Sequence, residues 1–169
     1  MKRKTAVTIL YLVVALSLLP VLSGCSTQAG TKDLMENIST DSVSTQTDST
    51  VEDSRAITDF TVRLFKQSAV EGESILLSPL SVLNALGMTA NGAGGNTLMQ
   101  MENTFGMPTK NVNTTLFAYK NTLPSSEKYK LHMANSIWFK DSEGFTVEPQ
   151  FLQTNADYYG AGIFKAAFD

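Results

Sequence analysis

The 169-residue sequence carries one cysteine, one histidine and one tryptophan. A single cysteine excludes an internal disulfide. A single histidine, His132, excludes a histidine-rich metal site. There is no basic excess: 13 Lys and Arg stand against 16 Asp and Glu, a net charge of −3, so nothing argues for nucleic acid. No glycine-rich phosphate loop follows a strand pattern, because Gly92, Gly94 and Gly95 follow a helix pattern instead. No carboxylate pair stands apart from the surface charge. A Ser-His-Asp triad would have to recruit His132. That residue sits in an alternating, strand-like stretch with no nucleophile elbow, and reads as a strand histidine facing solvent or a polar partner. The sequence therefore contains no catalytic site, calls for no cofactor or metal, and is read as a non-enzyme. What remains is ordinary: 43% hydrophobic residues and enough length for one domain with a real core.

The first 24 residues read as a targeting segment. Lys2, Arg3 and Lys4 precede an apolar run from Ala6 to Leu19. Leu22-Ser23-Gly24-Cys25 then resembles a bacterial lipobox, with the chain's only cysteine at the position that is lipidated before cleavage and acylation. The alternative is an uncleaved anchor, since the run is nearly long enough to span a bilayer. Either way the rest of the chain is expected outside the cytoplasm, held to the bacterial membrane or cell surface. Each buried CH₂ of an acyl chain adds about 0.8 kcal/mol. Residues 25–53 are then expected to form the lipidated cysteine and a Ser/Thr-rich flexible linker. The linker has no aromatic residue, and its apolar residues Leu34, Met35, Ile38 and Val43 are too sparse for a core.

The folded part is expected over 54–169. Ile57, Phe60, Thr61, Leu64 and Phe65 give a helical stripe. Ile75, Leu76 and Leu77 suit a short buried strand. Ser78-Pro79 stops it and opens a helix, serine as N-cap and proline at the first helical position. From Leu80 to Ala90 this helix is apolar on nearly every side and is expected to be buried. Gly92, Gly94 and Gly95 permit a sharp turn, Thr97 and Gln100 have capping-box spacing for the next helix, and Gly106 is placed to close it. Val112 to Leu123 reads as an amphipathic helix, Tyr129 to Phe139 as a strand, Pro149 as the start of a helix ended by Gly160 or Gly162, and Ile163 to Phe168 as a further strand.

The Ser-Pro-Leu-Ser helix entry, the Gly-Ala-x-Gly-x-Thr-x-x-Gln-Met turn, Ala134-Asn135-Ser136-Ile137-Trp138 and Val147-x-Pro149-x-Phe151 together resemble the serpin family, without a gap from about Arg55 to the end. The resemblance implies an α+β, serpin-like fold of N-terminal helices packed on strands of a mixed sheet. It covers well under half of a complete serpin, lacking the C-terminal sheets and the reactive loop. It implies a serine-type endopeptidase inhibitor that works in its full-length form as a suicide substrate: a protease attacks the exposed loop, and the cleaved loop inserts into the main sheet. The implied partner is a serine, or cysteine, protease met through that loop. Ser78, Pro79, Ser81 and Asn135 match the family's shutter region, where the sheet parts. Helix capping alone is the competing reading of Ser78 and Ser81. Gly92, Gly94, Thr97 and Gln100 match the family's helix-turn motif. Some serpins bind heparin through basic residues near the fourth helix. Here only Lys110 and Lys120 are positive, so no heparin site is expected. The sequence is read as a truncated or partial form of a lipid-anchored bacterial serpin. The alternatives are a non-inhibitory serpin-fold scaffold and an unrelated surface-anchored binding lipoprotein.

Overall fold

Each helix of the fold starts or stops where local chemistry dictates. A computed structural model describes residues 30–43, 49–124, 126, 128 and 131–168. The targeting segment and Cys25 lie outside the described residues. Helix α1 (Val51–Ser68) begins earlier than the 54 boundary, because Thr50 and Asp53 form a capping box. Helix α2 (Pro79–Ala90) starts on the Ser78 cap, with Pro79 in its first turn. Helix α3 (Gly95–Phe105) ends on Gly106, whose φ of 78° is left-handed. Helix α4 covers Thr109–Thr122. Helix α5 (Pro149–Tyr159) opens with Pro149 and closes on the left-handed Gly160.

Among the described residues, three strands make one sheet. They are β1 (Lys32–Asp33), β2 (Ser136–Lys140) and β3 (Gly162–Ala166), in the order β1-β3-β2. Strand β2 runs parallel to β3, with Ile137 opposite Ile163 and Phe139 opposite Lys165. Helix α5 is the crossover between them, the usual device for joining parallel strands. The core lies among the five helices: Phe60, Leu83, Met88, Phe105, Val112, Leu116 and Tyr159 are all buried in one cluster. Ile137 packs against that cluster from the sheet. On β2, Trp138 points the other way from Ile137, stacks on Phe164 at 4.6 Å and stays half exposed.

Beyond the earlier start of α1, four expectations about strands, burial and linker differ from what the structure has. Ile75 to Leu77 is not a strand, and Leu76 is fully exposed. A short apolar run becomes a strand only beside a partner, and no strand lies alongside it among the described residues. Strand β2 begins at Ser136 rather than near Tyr129, so His132 is exposed in irregular chain. Helix α2 buries one side, through Leu83, Gly87 and Met88, while Ala85 and Thr89 are exposed.

The fourth is the linker. Lys32 and Asp33 pair antiparallel with Lys165 and Phe164, and the Leu34 N–H donates to the Ile163 carbonyl at 2.9 Å. Further on, the Gln153 amide donates to the Ser39 carbonyl at 2.8 Å. The Asp41 N–H donates to Asp157 Oδ1 at 2.7 Å. Leu34, Met35, Ile38 and Val43 are all half-buried. Too few to make a core of their own, they suffice to lay the segment on one already built.

Asp53 is buried at the start of α1. It accepts from the Asn111 amide at 2.9 Å, and from the Thr50 N–H at 3.0 Å and hydroxyl at 2.8 Å. These donors, Asn111 first, hold its carboxyl below the ordinary value of 3.8. A depressed carboxylate stabilises the fold fully above the ordinary value, and this contribution is lost as pH falls through the folded one. Asp53→Asn is expected to lower stability by about 1–2 kcal/mol near neutrality, the usual cost of a lost cap and its buried partners. It should also flatten the acid side of the stability profile below about pH 4. Urea midpoints measured from pH 7 down to pH 3 check both effects.

Candidate functional site

Two loci gather the residues that the sequence singles out. The first lies where the start of α2 meets the chain leading into β2. Ser78 caps α2, its Oγ accepting from the Ser81 N–H at 3.4 Å and lying 2.8 Å from Ser81 Oγ. Ser81 then lines a cavity of about 240 Å³ together with Leu80, Asn84, His132 and Asn135. The structure thus brings Ser81 and Asn135 to one place, while Ser78 and Pro79 form the first turn of the helix beside it. Asn84 is buried and its amide donates to the Leu80 carbonyl at 2.7 Å. Asn135 holds the sheet through its backbone, its carbonyl accepting from the Gly162 N–H at 3.0 Å. Its side-chain Nδ2 is buried with no hydrogen-bond partner among the described residues. A buried amide donor without a partner costs on the order of 1–3 kcal/mol.

The second locus is the turn from α2 to α3. The left-handed residue here is Gly95, at φ 56°, and Gly94 is an extended N-cap. Gly92 has a different reason to be glycine: a Cβ there would stand 2.9 Å from the Phe151 ring. The expected Thr97–Gln100 capping box is absent. Helix α3 starts at Gly95 with no side-chain cap, so Thr97 is already inside its first turn. Both side chains are exposed; Thr97 lines a groove of about 450 Å³ with Gly92, Met101, Phe139 and Phe151.

A third feature carries no motif in the sequence. The Tyr159 hydroxyl donates to Asn113 Oδ1 at 2.6 Å, Asn113 Nδ2 to Asn91 Oδ1 at 2.8 Å, and Asn91 Nδ2 to Asn155 Oδ1 at 3.2 Å. Asn155 Nδ2 closes the run on the Phe151 carbonyl at 3.0 Å and the Met88 carbonyl at 3.4 Å. The run ties α2, α4 and α5 together inside the core. Burial pushes the Tyr159 phenol well above its ordinary value of 10.0, so it remains a neutral donor. Gly87 makes the room: a Cβ on it would lie 2.3 Å from the Tyr159 hydroxyl.

Among the described residues no group of three or more His, Cys, Asp or Glu is arranged to hold a metal, and no helix is long and apolar enough to cross a membrane.

Residues 55–169 match the family model described as serpin (serine protease inhibitor). The chain belongs to the serpin family. Human neuroserpin is 32% identical over 119 residues, which cover 67% of this chain and 28% of neuroserpin. A serpin-like protein of Methanosarcina acetivorans is 29% identical over 112 residues, covering 64% of this chain and 26% of its own length. Among solved structures, the thermophilic serpin tengpin in its native state superposes with a TM-score of 0.74 and 44% identity, over 82% of this chain and 36% of tengpin. The chain therefore spans roughly a quarter to a third of the serpins it matches. The incomplete α+β fold follows that share: the five helices and small mixed sheet of the described residues are the serpin N-terminal portion. The family's description is that of serine protease inhibitors, which are not themselves catalysts.

Proposed function

We propose that this chain acts as the N-terminal part of a lipid-anchored bacterial serpin that inhibits serine proteases by conformational trapping. The observation that carries this reading is the serpin match from 55 to 169, which takes in Ser78, Pro79, Ser81 and Asn135. In the full-length protein, a reactive loop supplied by the rest of the serpin domain would be attacked by the protease and would enter the sheet as a new strand. The cavity lined by Ser81 and Asn135 would be part of the family's shutter region, and the unpaired Asn135 amide would take its partner from the strands that complete the sheet. Cys25 would carry the lipid and hold the inhibitor outside the cytoplasm, at the cell membrane or surface. The partners of this reading are the target protease and the membrane; it needs no cofactor.

The test uses the full-length lipoprotein against a panel of serine and cysteine proteases. The expected product is a complex that survives SDS, at a mass equal to inhibitor plus protease. Cleavage of the loop with no such complex would replace inhibition by a non-inhibitory, scaffold role on the same fold.

A further inference from the structure

The docked segment changes the length of chain available between lipid and domain. Read as a free linker, Cys25 to Thr50 would be a tether 25 positions long. Yet the chain is fixed from Lys32 onward, by the β1–β3 pairing, by Leu34 on Ile163, and by the contacts of Ser39 and Asp41 with α5. Thr31 stands only six positions after Cys25. Fully extended, that stretch reaches at most about 20 Å.

We propose that segment 31–41 is a strap that converts a long tether into a short one, holding the β1–β3 edge of the sheet close against the lipid surface. This rests on the lipid-anchor reading of Cys25. The strap carries the load from the anchor through strand pairing and two side-chain contacts, so the residues after it, 42 to 49, take no part in setting the height of the domain. The partner surface is the bilayer into which the Cys25 lipid inserts. An inhibitor mounted this way meets proteases working at the membrane surface rather than those farther out.

The experiment places flexible insertions on either side of the strap. The full-length lipoprotein, with a fluorophore on Lys140→Cys, is reconstituted into phosphatidylethanolamine–phosphatidylglycerol vesicles carrying an acceptor-labelled lipid. About forty Gly/Ser residues between Ala29 and Gly30 add a mean reach of about 35 Å, and energy transfer should fall roughly twofold or more. The same insertion placed directly after Val43 should leave transfer unchanged. Equal loss from both insertions would overturn the strap, since the segment would then be free. A Cys25→Ser variant that stays with the membrane would overturn the anchor itself. Release of Cys25→Ser together with equal insertion effects would reject the strap and leave the anchor standing.

Discussion

Asn155→Ala should lower stability by about 2–4 kcal/mol, the sum expected from stranding buried polar groups and leaving a small void. Asn155 is fully buried and its side chain makes three hydrogen bonds. Its oxygen accepts from Asn91 at the end of α2, and its nitrogen reaches the Met88 and Phe151 carbonyls. Alanine leaves the Asn91 amide and the Met88 carbonyl without these partners. Asn155→Asp separates volume from hydrogen bonding. It keeps the shape, but an ionised carboxylate cannot donate, so it faces two carbonyls with no proton to offer. It should be at least as damaging at neutral pH and recover in acid, where the group regains a donor. Urea unfolding at pH 7 and pH 4 reads both. A loss under about 0.5 kcal/mol for the alanine variant, the level of an ordinary surface change, would mean that the run contributes nothing to stability.

Phe105→Ala should cost about 3–5 kcal/mol, the range for emptying a large aromatic from a packed core. Phe105 is the last residue of α3 and is 1% exposed, with its ring centroid 6.4 Å from that of Phe60 on α1 at a tilt of 55°. This is the contact that seats α3 against α1, so its loss should be felt at Phe60 too. A double-mutant cycle with Phe60→Leu should return a coupling of about 0.5–1.5 kcal/mol, as tilted aromatic pairs do. Additive losses would mean that the two rings share a cavity without interacting.

How much of the fold is legible in the sequence follows from how local each signal is. Ser78-Pro79, Gly106, Pro149 and Gly160 act through their own backbone geometry, and each marks the helix end expected of it. The Thr50–Asp53 capping box is equally local and has the recognised spacing, but a boundary placed at Ser54 passes over it. Ile75 to Leu77 shows the opposite limit. Its pattern is right for a strand, but pairing belongs to two segments and cannot be read from one. Strand β1 fails for a related reason, since two residues carry no period. The amide run is invisible in the sequence because Asn91, Asn113 and Asn155 lie 22 and 42 positions apart, and only the packing of α2, α4 and α5 brings them together. At the candidate site, Ser81 and Asn135 come from family motifs, whereas Asn84 and His132 join the same cavity only through the fold.

Strand β1 also gives the sheet a direction of growth. Strand β3 has a neighbour on each side, β1 along Phe164 and Lys165 and β2 along its whole length. The unpaired backbone donors and acceptors that could accept a further full strand therefore lie on the outer side of β2, among the described residues. An open edge is a template for whichever extended segment arrives first. With most of the other side covered by the chain's own N-terminal segment, a newcomer from elsewhere in the same protein or from a neighbouring molecule finds, among the described residues, its longest open edge next to Ser136–Lys140, where Trp138 is already half exposed to meet it.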